Sequence, residues 1–302
     1  MELHRIEGVL DLSMVRTKKL LFLGLGSLGS LALANLVYPW KQIVLVDPEV
    51  FEEDNVERHL LGNDSVGQPK AEALKSWLVN KGVNPGTIVI HVGYAQEFLH
   101  LHNDADIAVV SIDKRRPNDD VNVWAIQNRV AAVYGGIYPN GIGGHVMFIP
   151  RPADVCYLCA QHRMGGEYEG KPTDDYGVNI AELVDERGDL RAVPALYWNI
   201  SAVASDMADL IIDYLEGGEI PAQVLVRANS WEPILNIPQG KKLKTVAAFI
   251  ASQASLGLIP NLKLSKLNKG YQLLAQRSVF ALELKQSDRC PLHSTQLSAE
   301  DI

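Results

Sequence analysis

Residues Lys19 to Lys70 read KLLFLGLGSLGSLALANLVYPWKQIVLVDPEVFEEDNVERHLLGNDSVGQPK, and the fold turns on them. Leu20 to Leu23 form an uninterrupted apolar run, as a strand buried on both faces does. Gly24, Gly26 and Gly29 follow as G-x-G-x-x-G, and Ser30 to Val37 is small, apolar and helical in character. In a strand, turn and helix of this kind the glycines have separate tasks. One permits the turn, one lets backbone N–H groups approach a phosphate, and one lets the helix lie close on the sheet. The helix N-terminus, with its free N–H groups and positive dipole end, then faces the anion. A second buried run, Ile43 to Val46, ends in Asp47, where a carboxylate meets the hydroxyls of a ribose. So far a nicotinamide or flavin dehydrogenase fits as well, because a lone glycine fingerprint is weak.

Asn55, Arg58 and Lys70 follow within one short, polar, turn-rich stretch. Two cations and an amide just beyond a ribose carboxylate suit a nucleoside triphosphate, and a dehydrogenase has no need of them. Here the sequence resembles the ThiF/MoeB/HesA family, the adenylating domain shared with ubiquitin-activating enzymes. The resemblance rests on Val46, Asp47, Asn55 and Arg58 in V-D-x-x-x-x-x-x-x-N-x-x-R, on V-G-Q-P-K from Val66 to Lys70, and on an apolar strand ending in Asp113. It covers about the first half of the chain.

The resemblance implies an α/β, Rossmann-like fold: a mostly parallel central sheet with an antiparallel extension, flanking helices and a structural zinc knuckle. It implies ATP-dependent adenylation of the C-terminal carboxylate of a ubiquitin-like or sulfur-carrier protein with a Gly-Gly tail, giving an acyl-adenylate and pyrophosphate. Asp47 would hold the ribose, and Gly24, Gly26 and Gly29 the phosphates. Arg58 and Lys70 would neutralise charge developing on the phosphates, Asp113 would bind Mg2+, and Asn55 would help orient the nucleotide. Arg58, Lys70 and Asp113 are thus the expected catalytic residues. Adenylation of a peptide, small-molecule or tRNA-base carboxylate is the alternative, and a nucleotide-binding scaffold subunit a third reading. The family also implies a homodimer, in which Arg5 or Arg16 could reach a neighbour's triphosphate.

Composition bounds these readings. A chain of 302 residues, 47% of them hydrophobic, can build one large α/β domain or two smaller ones. Its net charge of −8 argues against general affinity for nucleic acid or an anionic membrane. MELHRIEGVLDLSMVRTKK lacks the apolar core of a signal peptide, and no run approaches the ~18 apolar residues of a membrane span, so the expected location is cytoplasmic.

Along the chain, helical spacing is expected over Pro69 to Lys81 and Val121 to Arg129, with strands at Ile88 to Val92, Ile107 to Ile112, Ala131 to Gly135 and Gly141 to Ile149. The glycines from Gly135 to Gly144 suggest backbone held tight against a ligand or a neighbouring strand. Residues 1–163 form the expected nucleotide-binding half. Residues 164–302 add a polar crossover, a long apolar helix over Ala195 to Glu216, strands at Gln223 to Arg227 and Ser278 to Lys285, and an insertion over 240 to 275 with a helix near Val246 to Leu256.

The three cysteines fall in two half-sites, Cys156 and Cys159 in C-x-x-C and Cys290 with His293 in C-x-x-H. Four ligands in two close pairs are the arithmetic of a closed, structural Cys3His zinc site, with a redox pair or unliganded thiols as the alternatives. If all three thiols serve zinc, no cysteine is left as a nucleophile. Asp189 to Pro194, where thioester-forming relatives carry theirs, has none.

Overall fold

The computed structural model describes residues 6, 8–138, 143–164, 195–228, 233–238, 262–267, 270–275, 278–288 and 290–293. Arg5, the polar crossover and the helix expected near Val246 to Leu256 lie outside these residues.

The first strand, β1 (Lys19–Leu23), is buried along its whole length and sits between β2 (Gln42–Asp47) and β4 (Ile107–Val110), parallel to both. Adding β3 (Ile88–Val92) and β5 (Ala131–Ile137) gives a parallel block in the order β3-β2-β1-β4-β5. Beyond β5 the sheet continues antiparallel through β6 (Gly143–Ile149), β7 (Gln223–Ala228) and, at the edge, β11 (Ser278–Glu283), so one eight-stranded sheet runs through both halves of the chain. The mostly parallel sheet with an antiparallel extension is the architecture expected from the sequence.

Period-two alternation sends Leu20 and Phe22 to one face of β1 and Leu21 and Leu23 to the other. Leu20 and Phe22 join a core shared with α2 (Ser27–Asn35) and the long α7 (Tyr197–Leu215), after the short α1 (Leu12–Val15). Val203, Ala204, Met207 and Ile211 of α7 are fully buried there, so this helix belongs to the core of a single chain. Asp206 on α7 ties it to β7 through a two-pronged pair with Arg227, both hydrogen bonds 2.6 Å. The close backbone implied by Gly135 and Gly144 has this helix as one cause: a Cβ on Gly135 would lie 2.5 Å from Met207 Sδ, and one on Gly144 2.8 Å from Val203 Cγ2 and 2.5 Å from the Gly136 carbonyl of the neighbouring strand. Leu21 and Leu23 pack on the opposite layer. That layer contains the short α4 (Ala95–Phe98), then α5 (Arg115–Asn128) and α6 (Tyr157–Met164), whereas Ala71, Leu74 and Leu78 of α3 (Lys70–Asn80) pack on the face of Leu20 and Phe22.

Several boundaries differ from the sequence expectation, each for a visible reason. β4 stops at Val110 because Ser111 turns its hydroxyl to the Gly24 carbonyl (2.7 Å) and Asn118 Nδ2 takes the Ile112 carbonyl (3.0 Å). α2 begins at Ser27, three residues early, because Gly26 is its N-cap and Gly29 lies inside its first turn. Within the expected insertion are two strands, β9 (Leu262–Leu267) and β10 (Gly270–Ala275), which with β8 (Pro233–Pro238) just ahead of it form a separate antiparallel sheet in the order β8-β10-β9. Among the described residues no helix is long and apolar enough to cross a membrane.

Candidate nucleotide site and metal centre

Strand order reverses between β1 and β4, and the crevice outside the carboxyl ends of those strands is where an open α/β sheet receives its ligand. The glycine turn and Asp113 both lie there, one after β1 and the other after β4. Gly24 has φ +86°, and a Cβ on it would meet the Ser111 carbonyl at 2.8 Å. A Cβ on Gly29 would lie 2.2 Å from the Gly24 carbonyl, so α2 can approach the turn only with glycine there. At Gly26 a Cβ would meet nothing within 4 Å. Gly26 caps α2 without any side-chain hydrogen bond, so the cap itself offers the first-turn N–H groups no side-chain acceptor.

The turn is held at its tip, Leu25. Asp47 Oδ2 accepts the Leu25 N–H at 2.6 Å, and Oδ1 accepts the Glu49 N–H at 2.8 Å. Asp47 is buried, and desolvation raises its pKa against the two backbone bonds that lower it. The Leu25 carbonyl meets His59 Nε2 at 2.8 Å, while His59 Nδ1 faces the Leu61 N–H at 3.1 Å. A carbonyl can only accept and an amide N–H only donate, so the ring is neutral with its proton on Nε2. Burial agrees, pushing the His59 pKa down to about 4. Sequence reasoning missed His59, whose partner lies 34 residues away.

Residues 48–69 form a loop closed at its base. Phe51 N–H donates to the Gln68 carbonyl, Gly67 N–H to the Phe51 carbonyl and Lys70 N–H to the Glu49 carbonyl, at 2.8, 2.9 and 3.0 Å. Phe51 is fully buried and its ring lies 4.9 Å from that of His59. The closure brings Lys70, first residue of α3, back beside Asp47. Its ammonium is buried and pairs with the exposed Glu49 carboxylate at 2.5 Å. Arg58 and Lys70 both act on Asp113 and on His59, so two cations, the glycine turn and Asp113 share one local field. Asp113 is open to solvent, yet desolvation by the protein around it and the nearby Glu49 raise its pKa, with Arg58 and Lys70 opposing. That combination describes a carboxylate in a concave mouth. Asn55 is engaged locally: its Oδ1 accepts the Glu52 N–H at 3.2 Å in a capping box. Arg16 ends α1 just ahead of β1, at the amino-terminal end of that strand and so away from the crevice at its carboxyl end, and does not join this cluster.

The two cysteine half-sites meet. Cys156, Cys159, Cys290 and His293 place their ligand atoms within 4.8 Å of one another. Cys156 Sγ lies 3.9 Å from Cys159 Sγ and 3.6 Å from Cys290 Sγ, and Cys159 Sγ lies 3.2 Å from His293 Nδ1. A tetrahedral zinc with Zn–S near 2.3 Å separates its sulfurs by roughly 3.8 Å, so the donor set fits. His293 Nε2 lies 3.2 Å from the Pro152 carbonyl, and donating to it leaves Nδ1 as the ligand atom. Ser287 N–H donates to Cys159 Sγ at 3.4 Å. These residues could hold a structural zinc ion that ties the segment after β11 to α6.

The profile of the ThiF family matches residues 1–291. Among curated proteins, ubiquitin-like modifier-activating enzyme 5 of Drosophila mojavensis is 23% identical over 176 residues, 53% of this chain and 44% of that protein. Its counterpart in Drosophila virilis is 25% identical over 175 residues with the same coverage. The chain therefore spans less than half the length of these relatives. Among solved structures, the E. coli microcin C7 biosynthetic enzyme MccB in complex with N-formylated MccA superposes with a TM-score of 0.60 at 16% identity, covering 94% of this chain and 70% of that one. MccB with ATP gives a TM-score of 0.59 at 16% identity, covering 94% and 69%. At this identity the likeness speaks to the fold.

Proposed function

The chain belongs to the ThiF family, and from that premise we propose that it activates a carboxylate by in-line attack on the α-phosphate of ATP, releasing pyrophosphate and leaving an acyl-adenylate. The observation that supports this is that Arg58 and Lys70 both act on Asp113 and on His59, whose ring meets the Leu25 carbonyl of the glycine turn. Two like-charged groups must meet in such a reaction, so the protein's task is position and positive charge. The open face at Gly26 and the uncapped start of α2 would cradle phosphate. Lys70 would exchange Glu49 for a phosphate oxygen, Arg58 would face the phosphates from the loop, and Asp113 would hold Mg2+. Asp47 already accepts one hydrogen bond at each oxygen and fixes the turn. Its remaining lone pairs are what it has for a ribose. Asn55 keeps its amide N–H groups for orienting the nucleotide.

The acceptor in this reading is the C-terminal carboxylate of a ubiquitin-like or sulfur-carrier protein with a Gly-Gly tail, the chain acting as a homodimer. A short peptide or small-molecule carboxylate is the second reading. Both suit a chain whose three cysteines all lie in the metal cluster, which leaves the adenylate to an outside nucleophile. The test is ATP–pyrophosphate exchange by wild type and Asp113→Asn, with Gly-Gly-ended carriers or short peptides, on material whose subunit number light scattering has fixed. Exchange that needs a carrier and falls on the order of 10²-fold or more in the variant is the expected result. Exchange with peptides alone moves the substrate to the second reading, and no ATP binding at all overturns the proposal.

A further inference from the structure

The two peptide units that meet at Leu25 are gripped by side chains of different segments. Asp47, at the end of β2, takes its N–H, and His59, in the loop that also carries Arg58, takes its carbonyl. Leu25 stands between Gly24 and Gly26, so neither neighbour has a side chain to restrain the turn. Gly24 is already in the left-handed region, and nothing touches the outer side of Gly26. Left alone, such a turn has wide conformational freedom. His59 is locked in its turn by the Leu61 N–H on the other ring nitrogen and by the Phe51 ring.

We propose that His59 is a positioning residue for the phosphate-binding turn: its Nε2–H, directed at the Leu25 carbonyl, sets the orientation of the N–H groups at Gly26 and the start of α2 and so couples the Arg58 segment to the turn. The phosphate part of this inference rests on the function proposed above. Side-chain geometry separates it from a simple packing role. A glutamine amide nitrogen reaches about where Nε2 stands and can donate to Leu25. An asparagine amide reaches about where Nδ1 stands and can serve only Leu61. His59→Gln should therefore keep ATP affinity within about threefold of wild type, and His59→Asn should lose about tenfold, the span of one hydrogen bond. His59→Phe keeps the ring volume against Phe51, loses both bonds, and stands in if the asparagine variant does not fold. Affinity is read with a fluorescent ATP analogue. Amide hydrogen exchange of peptides covering residues 23–29, without nucleotide, supplies the second readout. Faster exchange there in His59→Asn or His59→Phe but not in His59→Gln is expected. Equal behaviour of the glutamine and asparagine variants, or loss in glutamine alone, overturns the positioning role. A wild type that binds no ATP while the exchange pattern holds would sink the proposed function and leave the clamp standing.

Discussion

At the scale of single residues, the site holds its carboxylates at an energetic cost. Burial raises Asp47, and burial with the Glu49 charge raises Asp113. A carboxyl whose pKa is raised by folding favours its protonated form in the folded state. Its contribution to stability is full below the ordinary value of 3.8 and is lost as pH climbs through the raised value, so ionised Asp113 destabilises the free fold at neutral pH. Removing the charge should therefore separate stability from activity. Asp113→Asn is expected to melt at a higher temperature than wild type at pH 7.5, with the difference vanishing towards pH 3, while exchange activity falls on the order of 10²-fold or more. Calorimetry at the two pH values checks the first half, and a variant that melts lower at pH 7.5 would show that Asp113 is instead a net stabilising partner of Arg58 and Lys70.

At the scale of elements, the metal cluster is a staple between α6 and the segment after β11, two parts of the chain 134 residues apart. Among the described residues β11 forms the outer edge of the sheet, paired with β7 alone, so the staple holds an edge that these residues of the sheet hold from one side. Purified protein should carry one zinc per chain by elemental analysis, and Cys290→Ser or His293→Ala should lose it and melt several degrees lower, the shift made by about 2 kcal/mol in a large domain. Stoichiometric metal in Cys290→Ser would remove Cys290 from the ligand set. The half-sites were readable because C-x-x-C and C-x-x-H are local patterns; that they meet is a property of the whole sheet. The glycine turn, Asp47 and Lys70 were likewise legible, since each must occur at a fixed step from a strand or helix end. His59 was not, because a histidine amid Arg58, Leu60 and Leu61 carries no local mark of a carbonyl 34 residues back. β9 does carry its signal, the alternation of Leu262, Lys263 and Leu264, but Pro260 and the basic residues around it read as an irregular insertion.

At the scale of the whole molecule, neutral histidines are distributed through the fold. His59 stands behind the glycine turn, His102 near the start of β1, and His145 on β6 against the Tyr138 ring; burial pushes each down to about 4. His91, its Nε2 2.9 Å from that of His102, shifts the same way. For a base lowered by folding the sign reverses from that of the aspartates. Unfolded histidine takes up a proton near 6.5 and the folded one does not until about 4, so stability is full above 6.5 and is lost as pH falls towards 4. Each such group contributes at most about 1.4 kcal/mol per pH unit in that window. The raised Asp47 and Asp113 act the other way, because protonation relieves a desolvated charge at Asp47 and one set beside Glu49 in the mouth at Asp113, and they offset part of the loss at its acid end. The melting temperature is therefore expected to fall between pH 6.5 and 4, most steeply near the middle of that range. His145→Gln lies on β6, outside the nucleotide site, and should make the slope shallower while leaving exchange activity at pH 7.5 near wild type. Melting curves across this range decide it: an unchanged slope in His145→Gln would mean that carboxylates, and not the buried histidines, govern how this fold meets acid.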